Sequence, residues 1–192
     1  GSFSLDFLQD LGFVDRIFLV EGMARLQLSR LSLRGTYTGF VRSYSGSLGN
    51  LDWPEFRFGA DLDILQRKGL RVGVNIDGTP WAQPKFSFTR PRIGSECIEG
   101  GRPVTAGAHI AWNPPGWGGL APSFEARARW PIREATRVTE YEVAGGIKSP
   151  ATVLGTSALR GGWRYTHLDF SGNGREVKAT WSGFFAEYVF LF

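Results

Sequence analysis

The chain has 192 residues, enough for one all-β domain; 42% are hydrophobic and 14% aromatic, with seven Trp and fifteen Phe. Its formal charge of +4 is mild, and its Lys and Arg alternate with acids, so it lacks the basic block that tracks nucleic acid, and no nucleic-acid partner is expected. No run of about 18 apolar residues occurs, which excludes a transmembrane helix but not a strand barrel, where only every second residue meets lipid.

The single cysteine, Cys97, cannot form an internal disulfide and is expected to be buried. There is no Cys/His metal spacing, and no cofactor is expected. The opening GSFSLDF reads as a mature or trimmed chain whose signal peptide has been removed.

In the first segment Leu5, Leu8, Leu11, Ile17 and Val20 recur at three- and four-residue spacing, with Asp6, Asp10, Asp15 and Arg16 between them and Ser4 as a cap. This predicts an amphipathic helix over 4–22, so that residues 1–29 form a helix and lead-in and 30–192 the main domain. The helix would pack on a barrel rim or lie on a membrane surface. The leucines then change parity at Ser29–Arg30, which suggests a bulge or a helix-to-strand switch.

Eight strands follow, each with period-two alternation. They are expected at 30–41, 55–65, 69–77, 103–112, 123–131, 138–147, 158–169 and 177–192. The last sets the pattern: Phe184, Ala186, Tyr188, Phe190 and Phe192 share one face, and that face runs to the terminus. Chain ends are usually polar and frayed, so an aromatic terminal strand calls for apolar surroundings, for which a bilayer is the obvious candidate.

The second faces mix charge with glycine. Arg34, Arg57, Arg71, Arg127, Arg129, Arg160 and Arg164 are matched by Asp61, Asp63, Asp77, Glu125, Glu140, Glu142 and Glu187. Such a set suits the lumen of a narrow eight-stranded barrel, where buried charges persist only when paired. An ordinary solvated face is the alternative. His109 falls on the same face and reads as a hydrogen-bonded filler.

If both chain ends lie on one side, the two longest connections, 42–54 and 78–102, fall together on the other. The second carries Trp81, Phe86, Phe88, Arg90 and Arg92, a composition common at binding surfaces. It is either a contact surface for a protein partner or a loop packed over the barrel mouth. Aromatics near strand ends form two groups that suggest interfacial girdles: Trp53, Phe56, Trp81, Trp130, Trp163 and Trp181, and then Trp112, Phe190 and Phe192. Trp117 reads as an anchor in an inner turn.

The terminal alternation ending in Phe, and GWRYTHLDFSGNG followed by VKATWSGFFAEYVFLF, resemble the last hairpin and assembly signal of small eight-stranded outer-membrane β-barrels of Gram-negative bacteria. The resemblance covers about 30 residues and rests elsewhere on alternation alone. It implies an eight-stranded antiparallel transmembrane barrel in the outer membrane, in contact with its lipid and inserted by the barrel-assembly machinery. It does not imply an activity.

The expected role is structural or interactive, through extracellular loops over a charge-plugged lumen. Two other functions remain open. One is a lipid A-modifying enzyme using His167 with Asp169 and Ser171 near the rim; the other is a soluble lipocalin-like binder of a small apolar ligand.

Overall fold

The computed structural model describes residues 17–38, 44–45, 49–52, 55–80, 85–90, 94–114, 120–132, 136–149, 156–172 and 175–192. Thirteen strands form in chain order. They are β1 (Ile17–Leu28), β2 (Leu31–Thr38), β3 (Tyr44–Ser45), β4 (Gly49–Asp52), β5 (Glu55–Arg67), β6 (Leu70–Gly78) and β7 (Lys85–Arg90). Then come β8 (Gly94–Glu99), β9 (Val104–Trp112), β10 (Ala121–Pro131), β11 (Thr136–Lys148), β12 (Thr156–Gly172) and β13 (Arg175–Leu191).

Nine of these close into a barrel in the order β1-β13-β12-β11-β10-β9-β6-β5-β2. Eight of the nine are the strands read from alternation. The ninth, β1, occupies 17–28, so the expected helix is corrected over 17–22 and the barrel begins before residue 30. The remainder of that expected helix, 4–16, lies outside the described residues.

The parity change at Ser29–Arg30 is a hairpin turn, not a bulge. Leu28 pairs with Leu31, and Ser29 takes a φ of 57° in the left-handed region. A two-residue turn returns the chain on the same face, so the outward leucines switch from even to odd numbers. The β5–β6 turn works similarly, with φ of 47° at Lys68 and 80° at Gly69. A bulge does occur in the β5–β6 ladder, between Asp63 and Leu65.

The odd strand number fixes how the barrel closes. In an up-and-down meander each strand reverses the one before, so a first and a ninth strand run in the same direction. β1 accordingly pairs with β13 in parallel, from Ile17↔Gly183 to Arg25↔Leu191, while every other barrel neighbour is antiparallel. The described chain therefore enters the barrel at the end carrying the long connections and leaves at the end carrying the short turns, which corrects the expectation of both ends on one side. The terminus is tied into this seam: the Phe192 amide donates to the Arg25 carbonyl at 2.9 Å, and the Gln27 amide donates to the Phe192 carbonyl at 3.1 Å.

The two long connections build a second, four-stranded sheet in the order β3-β4-β7-β8. Its centre is the β4–β7 ladder, Gly49↔Phe88 to Asp52↔Lys85, which joins one loop to the other. β12 and β13 are 17 residues each, about seven more than a bilayer-length strand, and so rise on the order of 20 Å beyond one. Near the loop end their inward faces turn apolar: Leu168, Phe170, Val177 and Ala179 are buried there, with Val138 on β11. β8 of the small sheet contacts β12, and Phe86 and Ile98 of that sheet are buried. The small sheet thus docks on the extended wall at the loop-side mouth.

Candidate functional site: the charged lumen and the loop-side sheet

Alternation places one residue in two of each barrel strand inside. What the inside holds is charge. Arg25, Arg34, Arg57, Arg71, Arg127, Arg129, Arg160 and Arg164 stand opposite Glu21, Asp61, Asp63, Asp77, Glu125, Glu140, Glu142 and Glu187, eight against eight; all are buried except Arg71, which is partly so.

Asp61 on β5 is the hub nearer the turns. Arg127 grips it with two nitrogens, Nη1 to Oδ1 at 2.9 Å and Nη2 to Oδ2 at 3.0 Å. Arg25 reaches it at 2.9 Å and Arg34 at 3.2 Å. Arg34 also donates to Asp77 at 2.7 Å. Glu125 accepts from Arg160 at 2.6 Å and also pairs with Arg127 and Arg25. Arg160 continues to Glu187 at 3.0 Å.

A second hub lies toward the loops. Arg57 forms a two-pronged pair with Glu140 at 2.9 and 3.0 Å, and Arg129 joins the same carboxylate. Arg164 bridges Glu21 and Glu142, donating Nη2 to Glu21 Oε2 at 2.7 Å and Nε to Glu142 Oε2 at 3.1 Å, with its guanidinium 4.8 Å over the Phe185 ring. His109 Nε2 is 2.8 Å from Asp63 Oδ1, and Gln66 donates to the other oxygen of Asp63 at 2.7 Å.

Glycines on the inner face make this packing possible. At Gly59 an added Cβ would meet the Asp77 carboxylate and Arg34 Nη2, so the pair occupies the room a side chain would take. At Gly107 a Cβ would run into the Ala128 carbonyl of the neighbouring strand, a close backbone approach that only glycine permits.

The network includes two residues that the sequence reading missed. Glu21 fell inside the expected helix over 4–22, and Arg25 in the lead-in that follows it. From Val20 onward the segment does alternate, but Gly22 and Ala24 stand on its outer face and weaken the apolar signal.

The outer face is the inverse. On it Leu26, Leu28, Leu31, Leu33, Tyr37, Phe56, Phe58, Leu62, Ile64, Val74, Ile76, Ile110, Trp112, Phe124, Trp130, Tyr141, Val143, Ile147, Leu159, Trp163, Phe184, Tyr188 and Phe190 are all exposed. Aromatic contacts group on it. Trp112 stacks on Phe124 at 5.7 Å and Phe190 on Phe192 at 6.4 Å, while Tyr141 is 6.4 Å from Trp130 and 6.1 Å from Tyr165.

The two other candidate groups fare differently. His167, Asp169 and Ser171 occupy alternate positions along β12, so neighbouring members are about 6.7 Å apart and the ends about 13 Å apart along the strand. His167 Nδ1 instead lies 2.7 Å from Thr180 Oγ1 across the ladder. The three are not brought together as a nucleophile, base and orienting acid.

Of the loop candidates, Phe86 is 0% exposed and serves the core of the loop-side sheet, so it is not presented to a partner. Trp81 and Arg92 lie outside the described residues, as do Trp53 and Trp117; so do the side chains of Phe88 and Arg90, whose backbones belong to β7. The exposed face of the hairpin instead shows Lys85 paired with Glu99 at 2.8 Å, and Cys97, which is exposed where burial was expected.

No protein-family model, curated protein or solved structure matches the chain.

Proposed function

We propose that the protein is a transmembrane β-barrel of a bacterial outer membrane, with a lumen plugged by paired charges and a loop-side sheet that serves as a structural or interaction surface. The observation that carries this reading is the inversion of the barrel, with arginines and carboxylates inside and an unbroken belt of large apolar side chains outside.

A soluble chain offsets its conformational entropy by burying apolar area. Each large side chain left in water forgoes about 1.5–3 kcal/mol, against a net folding margin of about 5–15 kcal/mol. Here more than twenty such side chains face outward, and the buried apolar clusters within the barrel are as small as Ala144 with Phe185, or Met23 with Ala158 and Val189. A bilayer supplies the apolar medium that this arrangement requires.

The same inversion weighs against a soluble binder of an apolar ligand, because the described interior offers charge where such a ligand needs hydrocarbon. The dispersed His167, Asp169 and Ser171 give no support to lipid chemistry at the rim. The ion-pair network fills the described lumen between a recess at the loop end and one at the turn end, and that supports a closed lumen. The nine-stranded, parallel-closed architecture departs from the even strand numbers general among bacterial single-chain barrels.

A heat-modifiability gel in detergent tests the reading. A folded membrane barrel runs faster before boiling than after. A single mobility, together with a monodisperse chain in detergent-free buffer, would reject it.

A further inference from the structure

The charge balance of the lumen breaks at one place. At the turn-side mouth a small recess of about 20 Å³ is lined by Arg25, Arg71, Ser123, Glu125, Lys148 and Arg160, among others. Its lining has four cations and one carboxylate, Glu125, which Arg25, Arg127 and Arg160 share; Arg25 and Arg160 also pair with Asp61 and Glu187, so Lys148 is the cation in excess.

Several donors there are unspent. Among the described residues no ion pair forms to Lys148, the inward-facing last residue of β11. Arg71 spends Nη1 on Gln27 at 2.7 Å and, among the described residues, otherwise reaches only Asp63, at 3.8 Å. Among the described residues Ser123 Oγ and Arg160 Nη2 have no hydrogen-bond partner, Nη2 lying 3.9 Å from Glu142, although these residues are only 5% and 7% exposed. A buried hydroxyl and a buried guanidinium nitrogen without acceptors are costly unless something accepts from them.

We propose that this recess binds a phosphate-class oxyanion, free or carried on a lipid headgroup, through Lys148, Arg71 and Arg160, with Ser123 donating to one oxygen. Convergent cationic donors with room for charge-assisted hydrogen bonds favour a multiply charged tetrahedral anion over a halide. The anion would restore the neutrality that the rest of the lumen already has.

The test is calorimetric titration of the full chain, folded in a neutral detergent with sodium chloride held constant. Inorganic phosphate is the probe in one arm, and short-chain phosphatidic acid below its micellar concentration in the other. Saturable binding is expected, with a dissociation constant of about 1 mM or tighter. Lys148→Gln is expected to weaken it about tenfold, and Ser123→Ala by a factor of about three to ten. Lys178→Gln, on the loop side and paired with Glu176 at 3.1 Å, should leave it unchanged.

Binding of inorganic phosphate assigns the site to a free ion, and binding of the lipid alone assigns it to a headgroup; either keeps the oxyanion site. No saturable binding in both arms overturns the proposal. So does binding that is unaltered in Lys148→Gln and Ser123→Ala when both variants show the wild-type gel shift.

Discussion

Replacing Arg127 with alanine removes the cation that grips the turn-side hub, Asp61, with two nitrogens. Arg127 is 3% exposed and Asp61, its two-pronged partner, 0%. Breaking a buried pair from one side typically costs about 3–5 kcal/mol, because an uncompensated charge is left behind. Here Asp61 keeps Arg25 at 2.9 Å and Arg34 at 3.2 Å, and Glu125 keeps Arg160 at 2.6 Å. No carboxylate is stranded, so the expected cost falls at the lower end, about 3 kcal/mol, from two charge-assisted hydrogen bonds and the emptied volume.

Arg127→Met fills most of that volume without the charge, and the difference between the two variants isolates packing from electrostatics. Urea unfolding in lipid vesicles, with linear extrapolation and an unchanged m-value, measures both. A loss within about half a kcal/mol for Arg127→Ala would refute the reasoning, since that is what substitution on an ordinary wet face costs.

Other expectations follow from the same geometry. In planar bilayers the wild-type chain should show no porin-level conductance, because buried ion pairs fill the described lumen; steady open-channel current would contradict a plugged lumen. Phe86→Asp should undock the loop-side sheet, since loss of a buried Phe is worth about 3–5 kcal/mol, so proteolysis within 79–103 should accelerate while the gel shift of the barrel persists. Unchanged protection would show that Phe86 does not hold the sheet down. In a Cys97→Ser background, cysteines placed at Val20 and Ala186 should cross-link on mild oxidation, because these residues are paired across the parallel seam. Failure to cross-link in a folded barrel would reject β1 as the ninth strand.

The barrel strands were legible because each carries a full alternation in which large apolar and charged residues occupy opposite faces. β10 is the clearest case: Phe124, Ala126, Ala128 and Trp130 oppose Glu125, Arg127 and Arg129, and the structure puts the first set outward and the second inward. β1 was illegible for the opposite reason. Its outer face includes Gly22 and Ala24, which no alternation count registers, and the leucine and acid spacing that predicts a helix over 4–22 runs into its first residues. The loop sheet was beyond reach because β3 and β4 have two and four residues, too short for a period to emerge. What could be read was that the two long connections share an end, and their pairing through β4 and β7 depends on that. The ion-pair partners were not readable at all. Arg164 and Glu21 are 143 residues apart, and which carboxylate an arginine meets is set by barrel register and closure, not by its strand neighbours.

The terminal strand shows how these levels constrain one another. Its aromatic face needs an apolar medium, which would be satisfied in eight strands as well as in nine. Its inner face does not leave that freedom. Glu187 of β13 pairs with Glu21 of β1 in the ladder, and two adjacent carboxylates in a lumen are tolerable only with cations alongside. Arg160 serves Glu187 and Arg164 serves Glu21. Withdrawing β1 would remove Glu21 and Arg25 together, one charge of each sign, so the lumen would stay neutral overall while Arg164 and Asp61 each lost a partner. Overall charge balance therefore cannot choose between eight strands and nine. The choice rests on local pairing and on the two backbone hydrogen bonds that tie Phe192 to β1.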